Sequence, residues 1–163
     1  MTQIHQAFLK TPVGVVEITG TDKGIRTLQF LDFRVRLQPV HACLKHGVRQ
    51  LDEYFHGARQ QFDLVLDLQG SDFQVTVWNE LRMIPYGQTI TYHELARRIG
   101  NVNAFRAVGG ANAQNPVAVI VPCHRVIGSN GRLVGYRGGL KRKKWLLEHE
   151  HAFVQRDLFY GRL

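Results

Sequence analysis

The sequence predicts an α+β protein: a strand-rich first half with one helix, then a second half made mostly of helices. Short β-rich runs separated by Gly, Pro and Asp turns fill the first half, and apolar residues recur at helical spacing behind capping residues in the second. Hydrophobic residues make up 44% of the chain against 21% charged, the balance of a folded globular protein. At 163 residues there is room for one ordinary domain or two small ones sharing a core. The pattern changes near residue 70, which sets the expected domains at 1–70 and 71–163, and no Gly/Ser-rich linker separates them, so close packing is expected.

Residues 8–11 and 13–19 are β-rich and broken at Pro12, and Gly20, Asp22 and Gly24 supply a turn before a third run at 25–31. Pro39 is expected to open a helix with Leu44, Val48, Leu51 and Phe55 as its apolar stripe and Gly57 as its stop. Residues 62–68 alternate apolar and polar, as a half-buried strand does. Ser71 and Gln74 have capping-box spacing ahead of a helical face of Phe73, Val77, Leu81 and Ile84, which ends at Pro85-Tyr86-Gly87. Thr91 and Glu94 repeat that spacing ahead of Tyr92, Leu95 and Ile99, with Gly100 as the stop. A second short helix is expected from Ala104 to about Ala113, and residues 117–121 read as a buried strand stopped by Pro122. In the last helix Lys141, Arg142, Lys143 and Lys144 crowd the first turn while Glu148 and Glu150 lie near the end. That order opposes the helix dipole at roughly 0.3–1 kcal/mol per charge. Phosphate contact and a solvated charged face both account for it.

No apolar run reaches the ~20 residues that cross a bilayer, and the N-terminus lacks a signal-peptide pattern, so a protein that is not a membrane protein is expected. Two cysteines without C-x-x-C spacing point to free thiols in a reducing, cytoplasmic setting. Cys43 lies between His41 and His46, too few partners for a metal site, and reads as a structural thiol; no metal is expected. The net charge of +8 is unevenly placed: residues 1–70 hold 8 Lys/Arg against 7 Asp/Glu, and residues 71–163 hold 13 against 6. A basic second half fits a polyanionic partner or a basic surface with none.

Two short helices joined by a tight turn, at 91–113, have the outline of a helix-turn-helix, which occurs both in DNA-binding and in purely structural pairs. The second is built of small residues, Ala107, Gly109, Gly110, Ala111 and Ala113, with Arg106 as its single long cation. Two adjacent glycines cost about 1 kcal/mol each relative to alanine. They fit where another helix or a nucleic-acid backbone comes close. After residues 117–121 come Cys123, His124 and Arg125. A free thiol has a pKa of ~8.5, so a nucleophilic cysteine needs a base or a positive charge nearby. His124 is the candidate base, although neighbours on an extended strand point to opposite faces.

Pro122-Cys123-His124-Arg125-Val126 resembles the active-site signature of the O6-alkylguanine-DNA alkyltransferases. The resemblance continues in order through Val77-Trp78, Ile84-Pro85-Tyr86-Gly87, Thr91-Tyr92, Arg106-Ala107-Val108-Gly109, Asn115-Pro116, Gly135-Tyr136, Gly138-Gly139-Leu140 and Trp145-Leu146-Leu147. It covers about half of the chain strongly; the first 70 residues match the family's smaller domain only in general shape. It implies a small N-terminal α/β domain, a short antiparallel sheet plus helix, packed on a mostly helical domain with a winged-helix-like helix-turn-helix. It also implies one-shot repair, in which Cys123 takes the alkyl group from O6-alkylguanine in double-stranded DNA and keeps it. His124 would act as base through a water, oriented by Glu150, and Tyr92 would assist the leaving oxygen, while Asn115 supports the reactive turn. Arg106 would fill the space of a flipped-out nucleotide, with Thr91, Ala107, Gly109 and Gly110 at the DNA. Val126, Tyr136, Arg137 and Gly138 would line the alkyl pocket, Arg137 standing where the family includes smaller residues. No cofactor and no obligate protein partner are implied. Relatives that only bind lesions carry tryptophan at the cysteine position, and the regulatory ones carry an added zinc-binding cysteine domain, which two cysteines do not supply. A cysteine hydrolase would have its histidine far from the nucleophile in sequence.

Overall fold

A three-stranded antiparallel meander begins the computed structural model, which describes residues 2–152. Its strands are β1 (His5–Thr11), β2 (Gly14–Thr21) and β3 (Gly24–Leu31), with β2 in the centre. Pro12 and Val13 make the first turn, and Thr11 Oγ1 closes it on the Gly14 carbonyl at 2.6 Å. Along β2 the buried positions alternate, Val16, Ile18 and Gly20, and with Ala7, Ile25 and Leu28 they form the inner face of the sheet. Helix α1 (Lys45–Phe55) covers that face with Leu51, Tyr54 and Phe55. Gly47 permits the approach: a Cβ there would lie 2.9 Å from the tips of both Ile18 and Ile25.

The first half departs from expectation at two elements. The helix does not start after Pro39; a 3-10 turn over Ala42–Leu44, capped by His41, precedes α1. Its buried face is also turned from the expected stripe, with Val48 half-buried and Gly47 and Gln50 buried. Residues 62–68 form no strand. Their exposure alternates over 62–66 and no further, and they pair with β3 only at Ile25, through bonds of 3.0 Å to Val65 O and 2.8 Å from Asp67 N. The same free edge of β3 takes residues 116–118 at Leu28, through bonds of 2.9 and 3.0 Å. Each segment gets one bridge, and neither becomes a strand.

Two compact units result: residues up to 69 together with 116–118, and residues 70–115 together with 119 onward. The second unit begins with α2 (Asp72–Leu81), whose Ser71–Gln74 capping box is complete. Val77, Trp78, Leu81 and Ile84 are buried, whereas Phe73 is 38% exposed. Trp78 donates its indole N–H to Ala111 O at 2.8 Å, which fixes α2 on α4 (Phe105–Ala113). Between them lie β4 (Ile90–Thr91), α3 (Tyr92–Arg98) and a 3-10 turn at Val102–Ala104. Thr91 caps α3 by accepting the Glu94 N–H, but the reciprocal arm of the box is missing because Arg97 and Arg98 take the Glu94 carboxylate. β4 pairs in parallel with β5 (Val126–Ile127), and α5 (Leu140–His149) follows. Residues 117–121 are not a strand: the run turns at Val119, whose φ is 69°, and an unbroken apolar run does not distinguish a buried turn from a buried strand. Residues 153–163, placed in the second domain by sequence, lie outside the described residues.

Gly24 has φ +146°, and a Cβ there would meet Val65 O at 2.8 Å; Gly57 has φ +76° but open space around it. Gly24→Ala should therefore lower stability by about 1–3 kcal/mol, and Gly57→Ala by about 1 kcal/mol. Urea unfolding midpoints check the order; a Gly57 variant as damaged as the Gly24 variant would refute the steric account.

Candidate active site

The chain leaves Pro122 with ψ 63° and winds Cys123–Arg125 into one 3-10 turn before β5. Three residues per turn send consecutive side chains in three directions instead of to two opposite faces. All three are buried, Cys123 at 6% exposure and His124 at 0%. The turn is fixed from behind: Cys123 N–H donates to Val121 O at 2.8 Å, and the Asn115 amide donates to that same carbonyl at 2.7 Å.

Glu150, at the C-terminal cap of α5, collects the other two residues of the turn. His124 Nε2 lies 2.8 Å from Oε1, and Arg125 clamps both oxygens, Nε to Oε2 at 2.8 Å and Nη2 to Oε1 at 2.9 Å. Arg125 also donates to Ile84 O at 2.6 Å and lies under the Tyr86 ring, 5.8 Å from its centroid. Gly87 follows with φ +78°, where a Cβ would sit 2.9 Å from Glu150 O. The Pro85-Tyr86-Gly87 corner is thus shaped around this cluster. Burial alone would raise the Glu150 carboxyl, but the adjacent His124 and Arg125 hold it well below the usual carboxylate range. His124 is pushed down from its ordinary value, chiefly by burial, against the opposing pull of Glu150. Its other nitrogen, Nδ1, has no hydrogen-bond partner among the described residues.

Burial pushes the Cys123 thiol up, while the Asn115 hydrogen bond and the charge of Lys143 pull it back. Lys143 is itself fully buried and donates to three carbonyls: Val126 at 2.6 Å, and Val134 and Gly135 at 3.2 Å each. Burial lowers its amine to about 8. Sequence reasoning missed this role, because Lys143 was counted with its basic neighbours. The signal was available: Lys143, Leu146, Leu147 and Glu150 stand at helical spacing, and all four are buried.

The remaining residues named from sequence fall in two places. Tyr92, half-buried at the start of α3, donates to Val134 O at 3.0 Å, and burial first and then Cys123 raise its hydroxyl. Val126 is buried, Gly138 half-buried and Arg137 exposed. Tyr136 is half-buried with its hydroxyl oxygen inside, and burial raises that group well above its ordinary value. On α4, Arg106, Ala107 and Gly110 are exposed and Gly109 is half-exposed; Arg106 lies 5.9 Å from the Phe105 ring centroid. A Cβ at Gly110 would meet nothing within 4 Å, and at Gly109 only Tyr92 at 3.8 Å. Among the described residues no helix packs close enough to require those glycines. Thr91 is half-buried, with its hydroxyl committed to the α3 cap.

Residues 4–68 match the family model described as the ribonuclease-like domain of 6-O-methylguanine DNA methyltransferase, and residues 72–152 match its DNA binding domain. The methylated-DNA–protein-cysteine methyltransferase of Methanosarcina acetivorans is 42% identical over 90% of this chain and 98% of its own length. The protein of the same name from Mycobacterium bovis is 44% identical over 95% of this chain and 97% of its own. Among solved structures, the O6-methylguanine methyltransferase of Mycobacterium tuberculosis superposes with a TM-score of 0.83 at 43% identity, covering 91% of this chain and 93% of that one. The OGT of the same organism in complex with DNA gives 0.83 at 45% identity, over 90% and 92%. With both halves matched and these relatives covered nearly end to end, the chain belongs to the 6-O-methylguanine DNA methyltransferase family.

Proposed function

We propose that the protein repairs double-stranded DNA by moving the alkyl group of O6-alkylguanine onto Cys123, once and irreversibly. The observation that carries this reading is the buried 2.8 Å pair between Glu150, at the cap of α5, and His124, which shares its turn with the buried Cys123. His124 takes the thiol proton, directly or through a water, and Glu150 holds the ring and stabilises the cation that forms. As the S–C bond forms the C–O6 bond breaks and its electron pair goes to the guanine, and the proton taken up by His124 returns through solvent to guanine N1. Tyr92, whose raised value keeps its proton in place, donates a hydrogen bond to the leaving oxygen. For that, Tyr92 must turn its hydroxyl from Val134 O to the base. Asn115 and Lys143 favour the thiolate, the first by a hydrogen bond and the second by charge. The step needs no cofactor.

DNA is the partner, as the DNA complex of the M. tuberculosis relative supports. A guanine in the stack cannot reach a thiol that is 6% exposed, so the nucleotide is flipped out. Arg106 fills its place, and the exposed small residues of α4, Ala107 and Gly110 with Gly109 beside them, let the backbone approach. Thr91 acts there by fixing the start of α3. Val126, Tyr136, Arg137 and Gly138 surround the alkyl group. Among the described residues no helix is long and apolar enough to cross a membrane. The protein works without an obligate protein partner, in the cytoplasmic compartment that gives it access to DNA.

Incubation with a duplex containing O6-methylguanine should add one methylene, ~14 Da, confined to the Cys123 peptide in intact-mass and peptide mass spectrometry, as thiolate alkylation requires. Lesion binding with no change in mass would make this a recognition protein instead. Arg106→Ala should slow repair of duplex DNA far more than reaction with free alkylguanine, in single-turnover kinetics; equal losses would remove Arg106 from base extrusion. Glu150→Gln strands Arg125 and should cost roughly 3 kcal/mol of stability at pH 7 as well as slowing transfer. Because the folded carboxyl lies below its unfolded value of ~4.3, that contribution is complete above this value and is lost as pH falls through the folded one. The gap between wild type and variant in urea unfolding should therefore narrow below about pH 4, and a gap independent of pH would contradict the charge assignment.

A further inference from the structure

The first unit carries a cluster that alkyl transfer does not use. His5 opens β1, His41 caps the 3-10 turn ahead of α1, and Cys43 lies inside that turn. In sequence the histidine nearest to Cys43 on its other side is His46, but in the fold His46 Nδ1 turns to Arg49 at 3.2 Å. His5 arrives in its stead from the far end of the sheet. Its ring stacks on that of His41 with centroids 3.5 Å apart and planes 8° from parallel. His41 Nδ1 lies 3.1 Å from Cys43 Sγ, and one ligand atom from each of the three residues lies within 4.8 Å of the others.

We propose that His5, His41 and Cys43 bind a divalent transition-metal ion of the zinc class. Two imidazoles and a thiolate select borderline and soft ions, and exclude magnesium and calcium as good occupants. Tetrahedral zinc, with bonds of ~2.0 Å to nitrogen and ~2.3 Å to sulfur, places its ligand atoms about 3.3–3.7 Å apart. The His41–Cys43 pair opens by a few tenths of an ångström to reach that spacing, and the third atom closes by about 1 Å, within reach of an imidazole turning about its side-chain bond. A metal on His41 Nδ1 displaces a long 3.3 Å bond from the Cys43 N–H and replaces the contact with Cys43 Sγ, and the His5 ring must turn out of its parallel stack for both ring planes to meet at the ion. Binding replaces the thiol proton, which leaves to solvent as the metal–sulfur bond forms, so affinity rises with pH. His41 is exposed, so the fourth position faces solvent and takes water. The ion would tie the first strand to the segment leading into α1, and mass action would then stabilise the unit. The proposal is independent of alkyl transfer.

Cobalt(II) titration of the reduced, full-length Cys123→Ala protein isolates Cys43 as the sole thiol. One cobalt per chain should bind, with a thiolate-to-cobalt charge-transfer band and the visible bands of tetrahedral cobalt, and zinc should displace it. His5→Ala and Cys43→Ala should each weaken binding by more than about tenfold, since even outer-shell partners of a metal are worth that much; His46→Ala should change nothing. Circular dichroism verifies folding, and the exposed His41→Ala variant replaces His5→Ala if the latter unfolds. Absence of the charge-transfer band, or affinity unchanged in both histidine variants, overturns the proposal.

Discussion

Removing the Glu150 carboxylate from water costs several kcal/mol in an interior of low dielectric, and a single cation at a distance would not offset it. Here Arg125 grips both oxygens while His124 shares one of them, so the charge is met by hydrogen bonds as well as by opposite charge. That arrangement dictates much of what surrounds it. The 3-10 turn must point His124 and Arg125 to the same carboxylate from consecutive positions, α5 must end at residue 150, and the corner at Gly87 must lack a side chain. The thiol is carried along by the same turn.

The site combines groups that are hard to bury and groups that are easy. Lys143 saturates its ammonium with three carbonyls, and Asn115 bridges to the backbone of the turn. Both bring favourable influence to Cys123, whose own burial opposes ionisation. The result is a thiol held back in its resting state but surrounded by everything the anion needs. On α4 the opposite rule applies: few large side chains, open space at Gly110, and one exposed guanidinium at Arg106. A buried polar cluster and an open face of small residues thus fall on different elements of one unit.

Much of this was legible in the residues because it is local. Ser71 and Gln74 announced a capping box, Gly57 and Gly100 marked helix ends, and the β-rich runs broken at Pro12 and at the Gly20–Gly24 turn announced the three strands of the meander. The Cys123 motif marked a turn that proves to be buried, and Glu150, named through the resemblance, pairs with His124 of that turn. What escaped depends on contacts distant in sequence. Residues 117–121 look like a strand by composition, but a strand needs a partner, and β3 offers only one bridge there. Lys143 looked like part of a basic cluster because charge was read along the chain instead of around the helix. His5 could not be matched to Cys43, since nothing local records that β1 begins beside the turn before α1.

The membership of residues 116–118 has a consequence for assembly. The backbone passes from the second unit into the first after Asn115 and returns at Val119, so three covalent crossings join the units instead of one. A protease cutting near residue 70 would leave residues 1–69 without a covalent link to the rest, held at residues 116–118 by the two hydrogen bonds to Leu28. During synthesis, the free edge of β3 at Leu28 emerges long before the segment that pairs with it. At Leu28 that edge stays uncovered until about half of the second unit, residues 70–115, has left the ribosome. The same late segment is flanked by Asn115, whose amide holds the Val121 carbonyl behind Cys123, and by the turn at Val119.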